Sequence, residues 1–265
     1  MKIELPTEFS INYVKLKNKR YYNSNNKSIL CNELLAVSKS YCMYCGKSLL
    51  NESDWAFHME HSVDKGGNDN QSEKKTFLYH CKFNFSVACS YCNIVCKKIV
   101  QKIDLENAES VDTCIEKTCD KMCDMYRKHR EQYAANNAII LQPQGIISHG
   151  SRLKIFYDLI QNIYEADSKI TEDEDLFFIS NHIRRFQLNG LRFSESIIDL
   201  CADIVVLFED GITNIAEILR FLKSRRCTNI IAENFIKYCE TGITDIPTEK
   251  FVEFCRLVVI LNAAD

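Results

Sequence analysis

The chain has 265 residues, 46% of them hydrophobic, and a net charge of −3, which is the composition of a globular protein with a sizeable core. Its apolar runs at 204–208 and 257–261 are too short to span a bilayer, and residues 1–6 contain an acid and a proline where a signal peptide needs an apolar run. We therefore expect a cytoplasmic protein with no membrane partner.

Fourteen cysteines would suit a disulfide framework in a small secreted domain. This chain is large, however, and many of its cysteines lie at helical spacing among apolar residues. We expect reduced thiols and one metal site. With only eight glycines and three prolines, long loops should be few and helices many.

The charge is unevenly distributed along the chain. Residues 1–105 contain 15 Lys and Arg against 10 Asp and Glu, whereas residues 106–265 contain 18 against 26. The basic part is suited to meet phosphates, and the acidic part is poorly suited to lie on nucleic acid. Many surfaces with a similar excess bind nothing.

The first 40 residues form a basic, Asn-rich entry segment. Lys15, Lys17, Lys19 and Arg20 precede an Asn-rich stretch, and residues 29–38 are predicted to form a short helix. A solvated surface arm and an arm that contacts DNA both fit this composition, and the first is the more common.

Two CxxC pairs follow, Cys42 with Cys45 and Cys89 with Cys92. Four thiolates in two such pairs can close a tetrahedral site around one Zn²⁺. The site would fix both ends of the segment between them, which contains acid and imidazole groups. A zinc ribbon that only binds nucleic acid or protein would account for the cysteines equally well.

The segment between the two cysteine pairs has strand periodicity at both ends. Trp55, Phe57 and Met59 alternate with other residues, and so do Phe83, Phe85 and Val87. We expect these two strands to pair. The stretch from 94 to about 106 loses the alternation and contains no Gly or Pro, so it is predicted to be a helix.

A second helix is predicted over residues 111–133, where cysteine, methionine and tyrosine recur at three-and-four spacing. Cys119 and Cys123 could hold a metal there, but a soft apolar stripe packed in a core is the better interpretation. Gln142, Pro143 and Gly145 break the pattern and indicate a boundary.

Beyond residue 148 the chain is predicted to be entirely helical. The predicted helices span 153–166, 176–186, 196–208, 215–222, 230–239 and 251–261. The third is apolar nearly all round, which predicts a central, buried helix.

The residue order over 41–98, about a fifth of the chain, resembles HNH endonucleases of the zinc-containing kind. In that family a CxxC pair precedes an acidic residue with histidine, then Gly-Gly, then an asparagine and a second CxxC pair followed by Asn or His. The matching residues are Cys42, Cys45, Glu60, His61, Gly66, Gly67, Asn84, Cys89, Cys92 and Asn93. The lysine usual four positions after the last cysteine is here Cys96, and Lys97 follows it.

The resemblance implies a role for each matching residue. His61 would be the general base that takes a proton from the attacking water. Glu60 and Asn93 would hold a catalytic cation, Mg²⁺ or Mn²⁺, with His58 as a rival or additional ligand. Asn84 would brace the loop and orient the histidine. The four cysteines would bind a structural Zn²⁺.

We therefore expect an α+β protein in which a small ββα-metal (HNH) module with a four-cysteine zinc site joins a mainly α-helical C-terminal domain. The predicted parts are a basic segment (1–40), the nuclease module (41–106), a Cys-rich helical segment with linker (107–145) and an acidic all-helical domain (146–265). A chain ending near residue 145 should then retain zinc.

The expected activity is metal-dependent cleavage of phosphodiester bonds, most readily in DNA. In length and layout the chain resembles nuclease subunits that occur beside ATPases in bacterial anti-phage systems such as Septu, which implies an ATPase partner bound by the acidic helices. The chain has no phosphate-loop motif of its own. The alternative is a non-catalytic zinc-ribbon module that binds nucleic acid or protein.

Overall fold

The computed structural model describes residues 1–13, 25–50, 57–64, 78, 80–97, 119–223, 227–242 and 246–262. Some predictions lie outside these residues: the basic stretch from Lys15 to Arg20, Trp55, the Gly66 and Gly67 pair, the predicted helix beyond Lys97 and the first part of the 111–133 helix. In the described part of the chain, no helix has the length and apolar character needed to cross a membrane.

The chain is a mixture of helices and small antiparallel sheets. The strands are β1 (Lys2–Leu5), β2 (Phe57–His61), β3 (Phe85–Cys89), β4 (Ile147–Ser148), β5 (Ser151–Arg152), β6 (Ile155–Asp158) and β7 (Ile163–Ala166). The α-helices are α1 (Asn25–Val37), α2 (Asp124–Asn137), α3 (Asp173–Arg185), α4 (Leu191–Glu209), α5 (Ile215–Lys223), α6 (Ile230–Gly242) and α7 (Thr248–Asn262). The predicted α+β class is confirmed at this level.

The two strands predicted around the site do pair. β2 and β3 run antiparallel, with Phe57 opposite Cys89 and His61 opposite Phe85. Phe85 and Val87 are fully buried, which explains why this pairing is held in register. A π-helix, Tyr91–Cys96, follows β3 where an α-helix was predicted.

The predicted helix over 153–166 is wrong. β6 and β7 occupy these residues and form a three-stranded antiparallel sheet with β1, in the order β1-β6-β7. Ile155 and Tyr157 face the core, and the Asp158 carboxylate accepts hydrogen bonds from the backbone N–H groups of Ile160 and Gln161 at 2.8 and 3.1 Å. An aromatic and β-branched run before an Asp turn is typical of a hairpin.

β1 also corrects the interpretation of the N-terminus as a solvated arm. Ile3 and Leu5 are buried, and Leu5 pairs with Ile155 while Lys2 pairs with Asp158. The first residues of the chain are therefore part of the same core as residues beyond 150.

The predicted helix over 111–133 begins later within the described residues. Residues 119–123 are not helical, and the Cys123 sulfur accepts a hydrogen bond from the Tyr126 backbone N–H as the N-cap of α2. α2 ends at Asn137, after which Ala138 adopts a left-handed conformation with φ 47°. Inside α2, Arg130 donates to the carbonyl of Leu141 at 2.7 Å and to that of Gly145, which fixes the predicted break.

Helices α3 to α7 lie where the spacing predicted them. α4 packs against α7, and Ile197, Cys201 and Ile204 of α4 and Val258 of α7 are buried. Val206, by contrast, is 53% exposed, so the predicted central, buried helix is not buried on this face. Its apolar stripe is wide, but one face remains at the surface.

The first cysteine pair is joined to the helical half through Gly46. The Ile230 N–H, at the start of α6, donates to the Gly46 carbonyl at 2.8 Å, and the Ser48 N–H donates to the Thr228 carbonyl at 2.8 Å. Gly46 has φ +73°, and a Cβ there would lie 2.7 Å from Cγ2 of Ile230. The helical half thus packs directly on the site, whereas the division into four parts stays a prediction.

Candidate functional site

The two CxxC pairs close on each other. The sulfur atoms of Cys42, Cys45, Cys89 and Cys92 all lie within 4.8 Å of one another and are buried. The sulfurs of Cys45 and Cys89 are 3.9 Å apart, close to the about 3.8 Å edge of a tetrahedron with Zn–S bonds of about 2.3 Å. The cluster can therefore hold a structural metal ion such as zinc.

Hydrogen bonds within the cluster shift the pKa values of its thiols in opposite directions. The thiols of Cys42, Cys45 and Cys92 hold the pKa of Cys89 far below its usual range. Hydrogen bonds to Cys42 and Cys89 raise the pKa of Cys45 and that of Cys92 in turn. A divalent cation is what would let all four sulfurs lose their protons together.

A backbone hydrogen bond attaches the first cysteine pair to β3. The Met43 N–H donates to the Val87 carbonyl at 3.0 Å. The Gly46 N–H donates to the Cys42 carbonyl at 2.8 Å and closes the turn of the pair. Any ion in the cluster would therefore fix this turn, the end of β3 and the π-helix relative to one another.

Glu60 lies inside a closed network of donors. One carboxylate oxygen accepts from the Tyr44 hydroxyl at 2.6 Å and from Ser86, and the other forms an ion pair with Lys97. The Glu60 side chain is only 3% exposed. In this arrangement Glu60 is a buried ion-pair partner and not an open cation ligand, which departs from its predicted role.

The π-helix places the lysine of this pair. The Lys97 N–H donates to the Cys92 carbonyl at 3.1 Å, a bond over five residues instead of four. This wider turn accommodates one extra residue, so that Cys96 is buried beside the cluster and Lys97 reaches Glu60. The lysine lies one position later in this sequence than in the family that it resembles, and the wider turn of the π-helix compensates for that shift.

His58 and Asn93 come together between β2 and the π-helix. The Asn93 side-chain amide donates to Nδ1 of His58 at 2.7 Å, and the Ser90 hydroxyl lies 3.5 Å from Nε2. His58 and Asn93 are both partly exposed, so this pair, unlike Glu60, is open to solvent.

His61 lies on the other face of the strand. Since strand side chains alternate and the register runs unbroken to the His61–Phe85 pair, His61 faces away from His58 and Glu60. Its ring contacts Phe85, with centroids 4.6 Å apart. His61 is nevertheless the last residue of β2, where the strand ends.

Asn84 braces the segment that follows His61. Its side chain accepts from the Val63 N–H at 2.8 Å and donates to the carbonyls of Val63 at 3.1 Å and Leu78 at 2.8 Å. The Tyr126 hydroxyl adds a further donor at 3.0 Å. This geometry is that of the predicted brace, while an effect of Asn84 on catalysis stays a prediction.

Three residues around the site were not singled out from the sequence as part of it: Tyr44, Ser86 and His182. His182 accepts from the Ile140 N–H at 3.1 Å and donates from Nε2 to the Tyr44 carbonyl at 3.4 Å. Burial lowers the pKa of His182 to about 3. A lone histidine on an amphipathic helix gives no sequence signal of such a contact.

Comparisons with family models, with curated proteins and with solved structures find no match for this chain.

Proposed function

We propose that this chain is a metal-dependent endonuclease of the HNH type that hydrolyses phosphodiester bonds, with DNA as its substrate. The observation that carries the proposal is the approach of Asn93 to His58, within 2.7 Å, between the π-helix and β2. Two paired strands followed by a helical turn, next to four buried thiols, agree with the ββα-metal module that the resemblance implies. The basic excess of residues 1–105 supports a nucleic-acid substrate.

The proposed ion of the four-cysteine cluster is Zn²⁺. Thiolate ligands select zinc over magnesium, and four ligands leave no open position for a substrate. Its role is structural, and the proposed location is the cytoplasm, where thiols stay reduced.

A second cation, Mg²⁺ or Mn²⁺, is proposed at His58 and Asn93. A rotation of the Asn93 side-chain amide by about 180° places Oδ1 where the amide nitrogen now lies, 2.7 Å from Nδ1 of His58. Two ligands bonded to one cation at about 2.1 Å lie about 3 Å apart, so the pair fits neighbouring positions of one ion. A cation held by His58 and Asn93 would supply the positive charge that polarises the phosphate and stabilises the leaving oxygen.

His61 is proposed as the general base. An imidazole is the kind of side chain that can take the proton of an attacking water. In this proposal the substrate phosphate lies across the end of β2, where the strand ends at His61. Phe85 holds the ring and Asn84 holds the residues that follow.

The test is cleavage of plasmid DNA by purified variants in Mg²⁺ or Mn²⁺. We expect His61→Ala to lower the rate about 10² to 10⁴-fold at every metal concentration. His58→Ala and Asn93→Ala should instead raise the metal concentration needed. His149→Ala, which changes an exposed histidine paired with Asp175, is the matched control. Wild-type rates in His61→Ala would refute the mechanism.

A non-catalytic zinc-ribbon module is the second candidate, and the closed network around Glu60 favours it. With Glu60 paired to Lys97, the carboxylate that the resemblance assigns to the cation is occupied. Such a module would bind DNA with equal affinity in wild type and His61→Ala, and neither would cut it. If the chain is a nuclease, His61→Ala keeps the wild-type affinity for DNA and loses only the cleavage.

The acidic helical half is proposed to dock an ATPase subunit of an anti-phage complex. The observation that supports this docking is a partly exposed apolar face of α7, where Leu257, Ile260 and Leu261 are 46%, 66% and 46% exposed. Co-purification with the ATPase from a neighbouring gene tests this, with Ile260→Glu expected to abolish it.

A further inference from the structure

The ammonium of Lys97 occupies a buried cage of oxygen atoms. It lies 2.9 Å from the carbonyl of His61, 3.1 Å from the carbonyl of Ser62 and 3.4 Å from the hydroxyl of Tyr44, and it forms the ion pair with Glu60. The Lys97 side chain is 7% exposed. All four neighbours are acceptors toward a cation, so the cage is complementary to a positive charge.

Three of the four partners are consecutive in sequence. Glu60, His61 and Ser62 form the end of β2 and the first residue after it, and one ammonium contacts all three. Two of these contacts are to backbone carbonyls, so they fix the path of the chain itself at His61. Neutralising the charge of Glu60 alone would require only the ion pair and neither of the two carbonyl contacts.

The backbone of Lys97 is fixed as well. Its N–H is bonded to the carbonyl of Cys92, one of the four clustered cysteines. A continuous chain of contacts therefore runs from the thiol cluster through the π-helix and Lys97 to the backbone of His61. The cluster lies at one end of this chain of contacts and the proposed general base at the other.

We propose that Lys97 is a positioning residue that sets the orientation of His61 through its backbone, and thereby the rate of proton removal from the attacking water. This inference rests on the proposed function. A displacement of a catalytic group by about 1 Å can cost about 10² in rate, so the loss of a contact that fixes the His61 backbone should be measurable.

A buried ion pair could also serve only to neutralise Glu60. In that case Lys97 would matter for stability, and any residue that supplies the positive charge would suffice. Arginine separates the two roles. Its planar fork keeps the charge beside Glu60 but cannot direct a compact group of donors at three consecutive residues.

The experiment compares Lys97→Arg and Lys97→Met with Lys39→Ala, which removes an exposed lysine paired with Glu233. We expect Lys97→Arg to fold with wild-type zinc content, to keep its KM for DNA within about twofold, and to lose about 10-fold or more in kcat. Lys97→Met, in its folded fraction, should lose about 10². Lys39→Ala should match the wild type.

Chemical rescue gives an independent readout. Lys97→Ala lacks three methylenes and the ammonium, which propylammonium chloride can supply. We expect saturable recovery of kcat with propylammonium and none with potassium chloride at equal ionic strength. A merely structural lysine would show no such recovery of kcat.

The failure of this inference can be told from the failure of the proposed function. If His61→Ala abolishes cleavage but Lys97→Arg keeps the wild-type kcat, the positioning role is overturned and the nuclease stands. If cleavage does not depend on His61 at all, the proposed function is refuted and the inference falls with it.

Discussion

His182 donates a hydrogen bond to the backbone carbonyl of Tyr44, and this bond joins α3 to the first cysteine pair at 3.4 Å. The other ring nitrogen accepts from the Ile140 N–H at 3.1 Å. Both contacts require a neutral imidazole, because a protonated ring would direct an N–H at the N–H of Ile140. Three segments distant in sequence therefore meet at one uncharged side chain.

Acid should weaken the fold through this histidine. Burial lowers the pKa of His182 from 6.5 to about 3, so the unfolded chain binds the proton more tightly than the folded one. The stabilisation is present above pH 6.5 and is lost progressively as the pH falls toward 3. Between pH 7.5 and 5.0 this amounts to about 2 kcal/mol. Urea unfolding at each pH measures it, and His182→Gln should remove this part of the pH dependence. An equal pH dependence in the variant would contradict the prediction.

Gly46→Ala should destabilise the junction between the cysteine pair and α6. Gly46 and Gly150 have similar φ values, +73° and +75°, but a Cβ at Gly46 meets Ile230 at 2.7 Å whereas one at Gly150 meets nothing within 4 Å. Gly150→Ala should cost about 1 kcal/mol for the backbone alone, and Gly46→Ala about 1 to 3 kcal/mol more. Thermal unfolding of the two variants isolates the clash, and equal losses would show that Ile230 moves aside freely.

Cys89→Ser should remove the bound metal. We expect about one Zn²⁺ per chain in the wild type and none in this variant, which should also lose its cooperative unfolding. Cys123→Ser is the matched control, since a serine serves well as the N-cap that Cys123 supplies to α2. Elemental analysis and thermal unfolding provide the readouts. Folded wild-type protein without zinc would refute the site, and zinc retained after loss of both Cys89 and Cys92 would point to Cys81 or Cys96.

A chain truncated after Gly145 should fail to fold. Truncation removes β6, the partner of β1, and it removes the start of α6 that holds Gly46. It would expose Leu5 and the first cysteine pair, which are buried in the intact chain. The charge asymmetry had predicted that this part would retain zinc by itself. Limited proteolysis and zinc analysis decide between these two predictions. A protease-resistant fragment that contains zinc would show that residues 1–145 fold independently.

Much of the site was predictable because its signals are local. The spacing within each CxxC pair determines that two thiols can face one ion, and the alternation around Met59 and Val87 determines two strands that pair. The helices from α3 onward could be predicted for the same reason, since a period of three to four residues sets one apolar face. The brace at Asn84 followed from the resemblance.

The tertiary structure decided what depends on contacts between distant residues. Lys97 closes on Glu60 because a π-turn shifts the helix by one residue, whereas the sequence showed only that the lysine lies one position later than in the family. β6 forms a sheet because β1, about 150 residues earlier, supplies its partner, and that pairing overrides a locally ambiguous apolar run. His182 is neutral because three separate segments exclude water around it. The sequence by itself determined the types of groups available, whereas burial and pairing decided which of them are open to chemistry.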